Sequence, residues 1–218
     1  MSQHTLTLLR FTYKKLKEKL TVSDSKKLFH EKFPYVIPGL YKRIVDEMLV
    51  ELNLLNHQND FMQDYLFCVG LTETFKELME GYKPEKHLDL LFESLCSSAN
   101  FEVKEINEIS QKSQKEFKDK TSKDTLKLLI EKSNPTLYPS RILNLGLYIL
   151  ISKCKDLQEK NESEMNKIIS NIFEKLNLSA NKAEKDIGIY KSSISKMEQA
   201  KELIEELRIK DKKKNQKK

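Results

Sequence analysis

Residues 38–55 read Pro38-Gly39-Leu40-Tyr41-Lys42-Arg43-Ile44-Val45-Asp46-Glu47-Met48-Leu49-Val50-Glu51-Leu52-Asn53-Leu54-Leu55. From one residue upstream, Ile37, Tyr41, Ile44, Met48, Leu52 and Leu55 recur at steps of four, three, four, four and three, the period of a helix buried along one side. Leu40, Val45 and Leu49 widen that stripe beyond a two-position coiled-coil seam, which places the helix in a multi-helix body. Pro38 suits a first helical turn, where its missing N–H costs nothing.

The same reading extends outward. Upstream, Ser23-Asp24 predicts the start of a short helix that Pro34 ends. Downstream, a helix is predicted from about Gln63 to Glu80, closed by Gly81 as the residue after the C-cap and stopped by Pro84. Gly70 lies inside it, as Gly146 lies inside a strongly apolar helix from about Ser140 to Asp156. A mid-helix glycine costs about 1 kcal/mol against alanine, so both glycines predict a close crossing by another helix. Between them come a helix from about Pro84 to Ser97 and two modest helices over 101–132 broken near Thr121-Ser122. The boundary Asn134-Pro135-Thr136-Leu137-Tyr138-Pro139-Ser140 follows.

After a helix from about Ser163 to Leu176, Ser179 is placed to cap a segment that runs uninterrupted to at least Ile209. Its stripe of Ala183, Ile187, Tyr190, Ile194, Met197, Ala200, Ile204 and Leu207 is narrow. At 1.5 Å per residue, about 30 residues extend roughly 45 Å, longer than a compact body needs. The expectation is an all-α, multi-helix globular bundle with a long, protruding C-terminal helix of coiled-coil character. Its parts are a lead-in at 1–21, a globular domain at 22–178, the long helix at 179–209 and a basic tail at 210–218.

Composition agrees with this class. Five glycines and five prolines in 218 residues are too few for the turns of a sandwich or barrel. The formal charge of +6 resides in the tail: residues 208–218 hold seven bases and one acid, leaving residues 1–207 neutral. Nucleic-acid binders carry their positive field on the folded body, so a tail-borne charge reads either as a solubilising frayed end or as a means of meeting an anionic membrane surface or an acidic partner. Cys68, Cys96 and Cys154 are isolated in apolar contexts, as buried thiols of a reducing compartment are. The leader places apolar Leu6, Leu8, Leu9 and Phe11 before the basic run Tyr13–Lys17, the reverse of a secretory signal.

Chemistry is not written into the sequence. The cysteines lack zinc-ligand spacing, and the residues three before His30, His57 and His87 are Lys27, Leu54 and Pro84 rather than the glutamates of a di-iron bundle. Phosphate loops, nucleophile elbows and kinase elements are missing. The expectation is therefore no catalytic residue, no metal and no cofactor. Two surfaces remain as candidates for partner contact. One follows the last helix through Ile187, Tyr190, Ile194, Met197 and Ile204 into Arg208, Lys212, Lys213 and Lys214. The other is the charged face Lys42, Arg43, Asp46, Glu47 and Glu51, in which i,i+4 pairs flank the apolar stripe and Arg43 or Glu47 is expected to reach a neighbouring helix or a partner. Pro38, Gly70, Gly81, Pro84 and Gly146 are assigned structural roles. A pigment- or lipid-binding helical protein and a tail-driven nucleic-acid binder stand as alternatives.

The run Tyr41–Leu55 resembles the signature helix of the thylakoid formation proteins, photosystem II biogenesis factors of cyanobacteria and chloroplasts. In order along the chain, Val22-Ser23-Asp24-Ser25-Lys26, Gly70-Leu71-Thr72-Glu73-Thr74-Phe75, Leu78 to Glu85, Leu91 to Cys96, Tyr138-Pro139-Ser140-Arg141, Gly146-Leu147-Tyr148, Lys185-Asp186, Tyr190-Lys191-Ser192 and Lys196-Met197 continue the likeness over about residues 22–207. This chain has Lys42-Arg43 where the family usually shows two arginines, and Asn53 where it usually shows histidine, which argues against a histidine-dependent role. Residues 101–132 match poorly. The resemblance implies a non-catalytic, mainly helical protein of thylakoid biogenesis and photosystem II assembly or repair. It further implies a membrane-associated partner complex, the FtsH protease and photosystem II, met at the cytoplasmic face of the thylakoid membrane, with no small-molecule substrate. The lysine-rich leader points to a cyanobacterial rather than a plastid-targeted chain.

Overall fold

The computed structural model describes residues 19–132 and 139–215, with the backbone alone for 208 and 210–215. The expected lead-in at 1–18, the boundary residues 133–138 and the tail residues 216–218 lie outside the described residues. Among the described residues there are nine α-helices: α1 (Val22–Lys32), α2 (Gly39–His57), α3 (Tyr65–Leu78), α4 (Leu88–Ser98), α5 (Val103–Phe117), α6 (Ser122–Lys132), α7 (Arg141–Ser152), α8 (Glu162–Lys175) and α9 (Ala180–Asn215). Short 3-10 turns at Glu85–His87 and Lys155–Leu157 precede α4 and follow α7.

Local chemistry sets most of the ends. α1 starts two residues earlier than a Ser23 cap predicts, because Thr21 and Asp24 form a reciprocal capping box: Asp24 N–H donates to Thr21 Oγ1 at 3.1 Å, and Thr21 N–H donates to Asp24 Oδ2 at 3.0 Å. Two orphan donors are satisfied at once, which a single serine cap cannot do. Ser140 caps α7 through Leu143 N–H at 3.1 Å, and Ser179 accepts from Lys182 N–H at 3.3 Å at the head of α9. Gly81 takes a φ of +78° just past α3, the left-handed geometry that glycine enters without a steric penalty. The helix predicted from Ser140 to Asp156 ends at Ser152, and the chain turns through Cys154, whose N–H donates to Ile151 O at 2.9 Å.

α3 is the axis of the molecule, with buried residues on every side: Leu66, Phe67, Cys68, Val69, Gly70, Leu71, Thr74, Phe75 and Leu78. One side joins an aromatic-rich core with α1, α2 and α4, in which Phe61, Phe67 and Phe101 meet edge-on or tilted with centroids 5.0–5.9 Å apart. The opposite side joins an aliphatic core built with α6, α7, α8 and α9. Each fully buried leucine or phenylalanine contributes about 1.5–3 kcal/mol relative to exposure.

The two mid-helix glycines meet. A Cβ on Gly70 would lie 2.0 Å from the carbonyl oxygen of Ile142 and 2.9 Å from the nitrogen of Gly146, and one on Gly146 would lie 1.9 Å from the carbonyl oxygen of Leu66. The obstacles are backbone atoms, so no side-chain rearrangement relieves them. α3 and α7 thus pack main chain against main chain. Gly188 in α9 has open space where a Cβ would sit.

Two expectations follow. Gly70→Ala is expected to lower stability by about 1–3 kcal/mol or more through forced separation of α3 from α7, whereas Gly188→Ala raises it by about 0.5–1 kcal/mol through helix propensity; urea unfolding of both variants checks the opposite signs. The second concerns Asp64, which caps α3 by accepting from Phe67 N–H at 2.8 Å and whose carboxyl is pushed up to about 6 by burial, against the pull of the Phe67 and Leu66 amides. A carboxyl raised in the fold contributes stability that is complete below its unfolded value of about 4 and is lost as pH rises through the folded value. Asp64→Asn keeps the cap without the charge, so it should gain on the native chain by about 1–3 kcal/mol between pH 4 and pH 7, as denaturant midpoints across that range would report.

Candidate functional site

α9 begins inside the body. Ala183, Ile187 and Tyr190 belong to the aliphatic core and Met197 to the aromatic one, so the helix splices the two cores together. Polar contacts fix it along the way. Lys182 Nζ donates to Pro139 O at 3.0 Å, Asn144 Nδ2 to Asp186 Oδ2 at 2.8 Å, and the Tyr190 hydroxyl to Glu77. Burial, reinforced by the Glu77 carboxylate, pushes the Tyr190 phenol well above its ordinary range and keeps it a donor. Lys191 pairs with Glu162 at 2.9 Å over the Tyr148 ring. Lys201, 3.8 Å from Glu80 and lying against Gly81, makes the last contact of this series.

The expected surface on the last helix is therefore corrected in its first half. Ile187, Tyr190 and Met197 are only 7%, 5% and 6% exposed, and Ile194 is half-buried against the aliphatic core. They are core residues whose helical spacing reads alike whether the neighbour is the body or a partner. Ile204 is exposed, as are Leu203, Leu207 and Ile209 at 58%, 51% and 45%. Leu203 and Ile209 are the residues that sequence reasoning passed over. Their signal was an apolar side chain among Glu202, Glu205 and Glu206, which reads as noise until the end of the body is known. Arg208 and Lys212, Lys213 and Lys214 follow on the same continuous helix.

The charged face of α2 separates as well. Arg43 Nε and Glu47 Oε1 form a 2.8 Å pair at 86% and 49% side-chain exposure, a contact worth little in high dielectric. Neither reaches the next helix. Glu51 does, accepting from Arg141 Nε at 2.9 Å and from Arg141 Nη2 at the head of α7, across 90 residues of sequence. Burial pushes the Glu51 carboxyl up, with the nearby Asp186 adding to that push; Arg141 and the Ile142 amide oppose it. Beside this pair lies an open groove of about 630 Å³, with Val50 and Leu54 among its lining and Lys42, Arg43, Asp46 and Glu47 around it. Leu54 is 53% exposed. Asn53, in contrast, is buried and donates to Leu20 O at 2.8 Å and Ser25 Oγ at 2.7 Å, tying the entry of the chain to α2.

Cys68, Cys96 and Cys154 are buried free thiols, and burial pushes all three above the ordinary thiol range. Among the described residues no three histidine, cysteine or carboxylate side chains gather to hold a metal ion, and no helix is long and apolar enough to cross a membrane. What the geometry offers is a rigid helical body, a charged groove and a projecting helix bearing an apolar row. This is the class of a helical protein that acts through macromolecular contacts.

Residues 21–218 match the family described as thylakoid formation protein, and the chain belongs to that family. It is 81% identical over 199 residues to Protein Thf1 of Prochlorococcus marinus (strain MIT 9312), covering 91% of this chain and 99% of that relative. To Protein Thf1 of Prochlorococcus marinus subsp. pastoris (strain CCMP1986 / NIES-2087 / MED4) it is 70% identical over 202 residues, covering 93% and 100%. Among solved structures it is similar to Psb29, with a TM-score of 0.79 at 27% identity over 90% of this chain and 98% of that one. The role of the family is non-catalytic: the chain serves thylakoid and photosystem II biogenesis through protein contacts.

Arg141→Met leaves Glu51 buried without its cation. Because the Glu51 carboxyl then rises further, the variant loses little stability below about pH 4, where the group is neutral in folded and unfolded chains alike, and progressively more as pH climbs. The expected loss is about 1–3 kcal/mol at pH 8 and much less at pH 5. Urea titrations at the two pH values check it, and a loss independent of pH would contradict the role given to the pair.

Proposed function

We propose that the chain is an adaptor at the thylakoid membrane, in which the two-core body is the mount and the outer half of α9, with its basic extension, meets the partner. In this reading the partner is the membrane-bound FtsH quality-control protease complex with its photosystem II clients, approached by peripheral association at the cytoplasmic face. The observation that carries it is the row Leu203, Ile204 and Leu207, left exposed on a helix whose first half is fixed in the body. Apolar side chains three and four apart on an otherwise charged helix suit coiled-coil-like, helix-on-helix contact. The seven bases of residues 208–218 would draw the chain toward an anionic surface, at up to about 1 kcal/mol per residue near it, and salt would weaken that attraction.

A second reading places the contact in the groove beside α2, favoured by the exposed Leu54 on its wall and the Arg43–Glu47 pair at its rim. Pull-down from solubilised cyanobacterial membranes separates the two. The arms are the intact chain, one ending at Leu207, and one carrying Leu203→Ser, Ile204→Ser and Leu207→Ser. The first reading expects the triple variant to lose the protease complex, and the shortened chain to recover less of it in a salt-dependent way. Equal recovery by all three would reject that reading and move the contact to the groove, where Arg43→Glu should then abolish it.

A further inference from the structure

The end of the molecule from which α9 leaves carries an apolar tip that the reading of its outer row does not use. Between α1 and α2 the chain runs Phe33-Pro34-Tyr35-Val36-Ile37-Pro38. Phe33 is sealed in the aromatic core, whereas Val36 is 91% exposed and Tyr35 47%. The tip is held in place: the Tyr35 ring stacks on His87 with centroids 3.9 Å apart, and His87 meets Phe33 edge-on at 6.1 Å. Pro34 and Pro38 on either side of it, and Pro84 in the facing turn, are exposed and restrict the backbone.

The charge around the tip is mainly basic. Residues 32–43 hold Lys32, Lys42 and Arg43 and no acid, and residues 82–88 hold Lys83 and Lys86 against Glu85. Lys32 reaches Ser97 Oγ at 2.8 Å, and Lys83 pairs with Glu85. Of the acids that flank these stretches, Glu31, Asp46, Glu80 and Asp89, Glu80 faces Lys201 at 3.8 Å. That contact puts α9 at the same end: the Tyr41 hydroxyl, in the first turn of α2, donates to Glu80 O at 3.1 Å, and Lys201 lies against Gly81.

We propose that the Tyr35–Val36 tip inserts into the headgroup region of an anionic bilayer, with Lys32, Lys42, Lys83 and Lys86 set around it for lipid phosphates. A projecting apolar point with a basic surround selects this occupant, because a fluid interface closes around it without a preformed pocket. An aromatic ring with a polar end suits headgroup depth. The tip is already ordered, so insertion costs little conformational entropy. One valine gives a modest partition, and the surrounding bases bring the chain to the surface at which it acts. The proposal rests on the peripheral membrane association in the reading above and is independent of which protein partner is met there.

The chain has no tryptophan, so one placed at the tip reports on it alone. In the full chain, the emission of Val36→Trp should shift to the blue and be quenched by brominated lipid when vesicles of phosphatidylcholine and phosphatidylglycerol are added. Ile130→Trp, at a residue 51% exposed on α6, should show neither change. Val36→Asp should lower partition into the same vesicles by about tenfold, with circular dichroism checking that the fold is kept. Vesicle binding without a spectral change in Val36→Trp would place the contact on the basic tail and overturn the proposal. Equal partition of Val36→Asp, or a full chain that binds no vesicle, would do the same. So would a Val36→Asp chain that partitions normally but loses the complex recovered from solubilised membranes, since the tip would then be a protein contact. The vesicles hold no protein partner, so this test can fail while the pull-down with α9 variants succeeds, and the reverse.

Discussion

Everything in this molecule is arranged around the contact of Gly70 with Gly146. Main chain meets main chain there, with an added Cβ on either glycine falling 1.9–2.0 Å from a carbonyl oxygen of the other helix. At that separation α3 is buried all round from Leu66 to Leu71, and along the whole helix only Lys76 and Glu77 are exposed. Its remaining surface must be covered by other helices, and the structure covers it with an aromatic core on one side and an aliphatic core on the other. The other elements are answers to that demand: α1, α2 and α4 complete one core, and α6, α7, α8 and the start of α9 complete the other.

What could be read from the chain was whatever is decided within a few residues. The period of α2, the cap at Ser140, the stop at Gly81 and the penalty carried by two mid-helix glycines are all local, and the structure has a counterpart for each. Thr21 displaced Ser23 as a cap because a reciprocal pair satisfies two amides, a distinction that lies in geometry rather than residue type. Glu51 was legible as a charge beside an apolar stripe, but its partner Arg141 lies 90 residues away, and no spacing rule spans that distance. The same holds for the last helix. Ile187 and Ile204 carry the same sequence signal, and only the position of the body's edge, marked by Glu80 and Gly81 against Lys201, separates a core residue from a surface one.

That edge gives α9 two mechanical roles. Its first half splices the two cores and is held by Asn144, Glu77 and Glu162, so the direction in which the helix leaves is set by the body rather than by a hinge. Its second half leaves Leu203, Ile204, Leu207 and Ile209 exposed and separates its charges by sign.

The three thiols carry a practical consequence. Cys68 and Cys96 are fully buried and Cys154 is 1% exposed, and burial suppresses the thiolate form of each, so an alkylating reagent finds neither access nor a nucleophile while the fold is intact. Their labelling rate is therefore a clock for opening of the interior. Cys68 and Cys96 time the aromatic core and Cys154 the aliphatic one, so a single mass-spectrometric time course would tell whether the two halves open together or in succession.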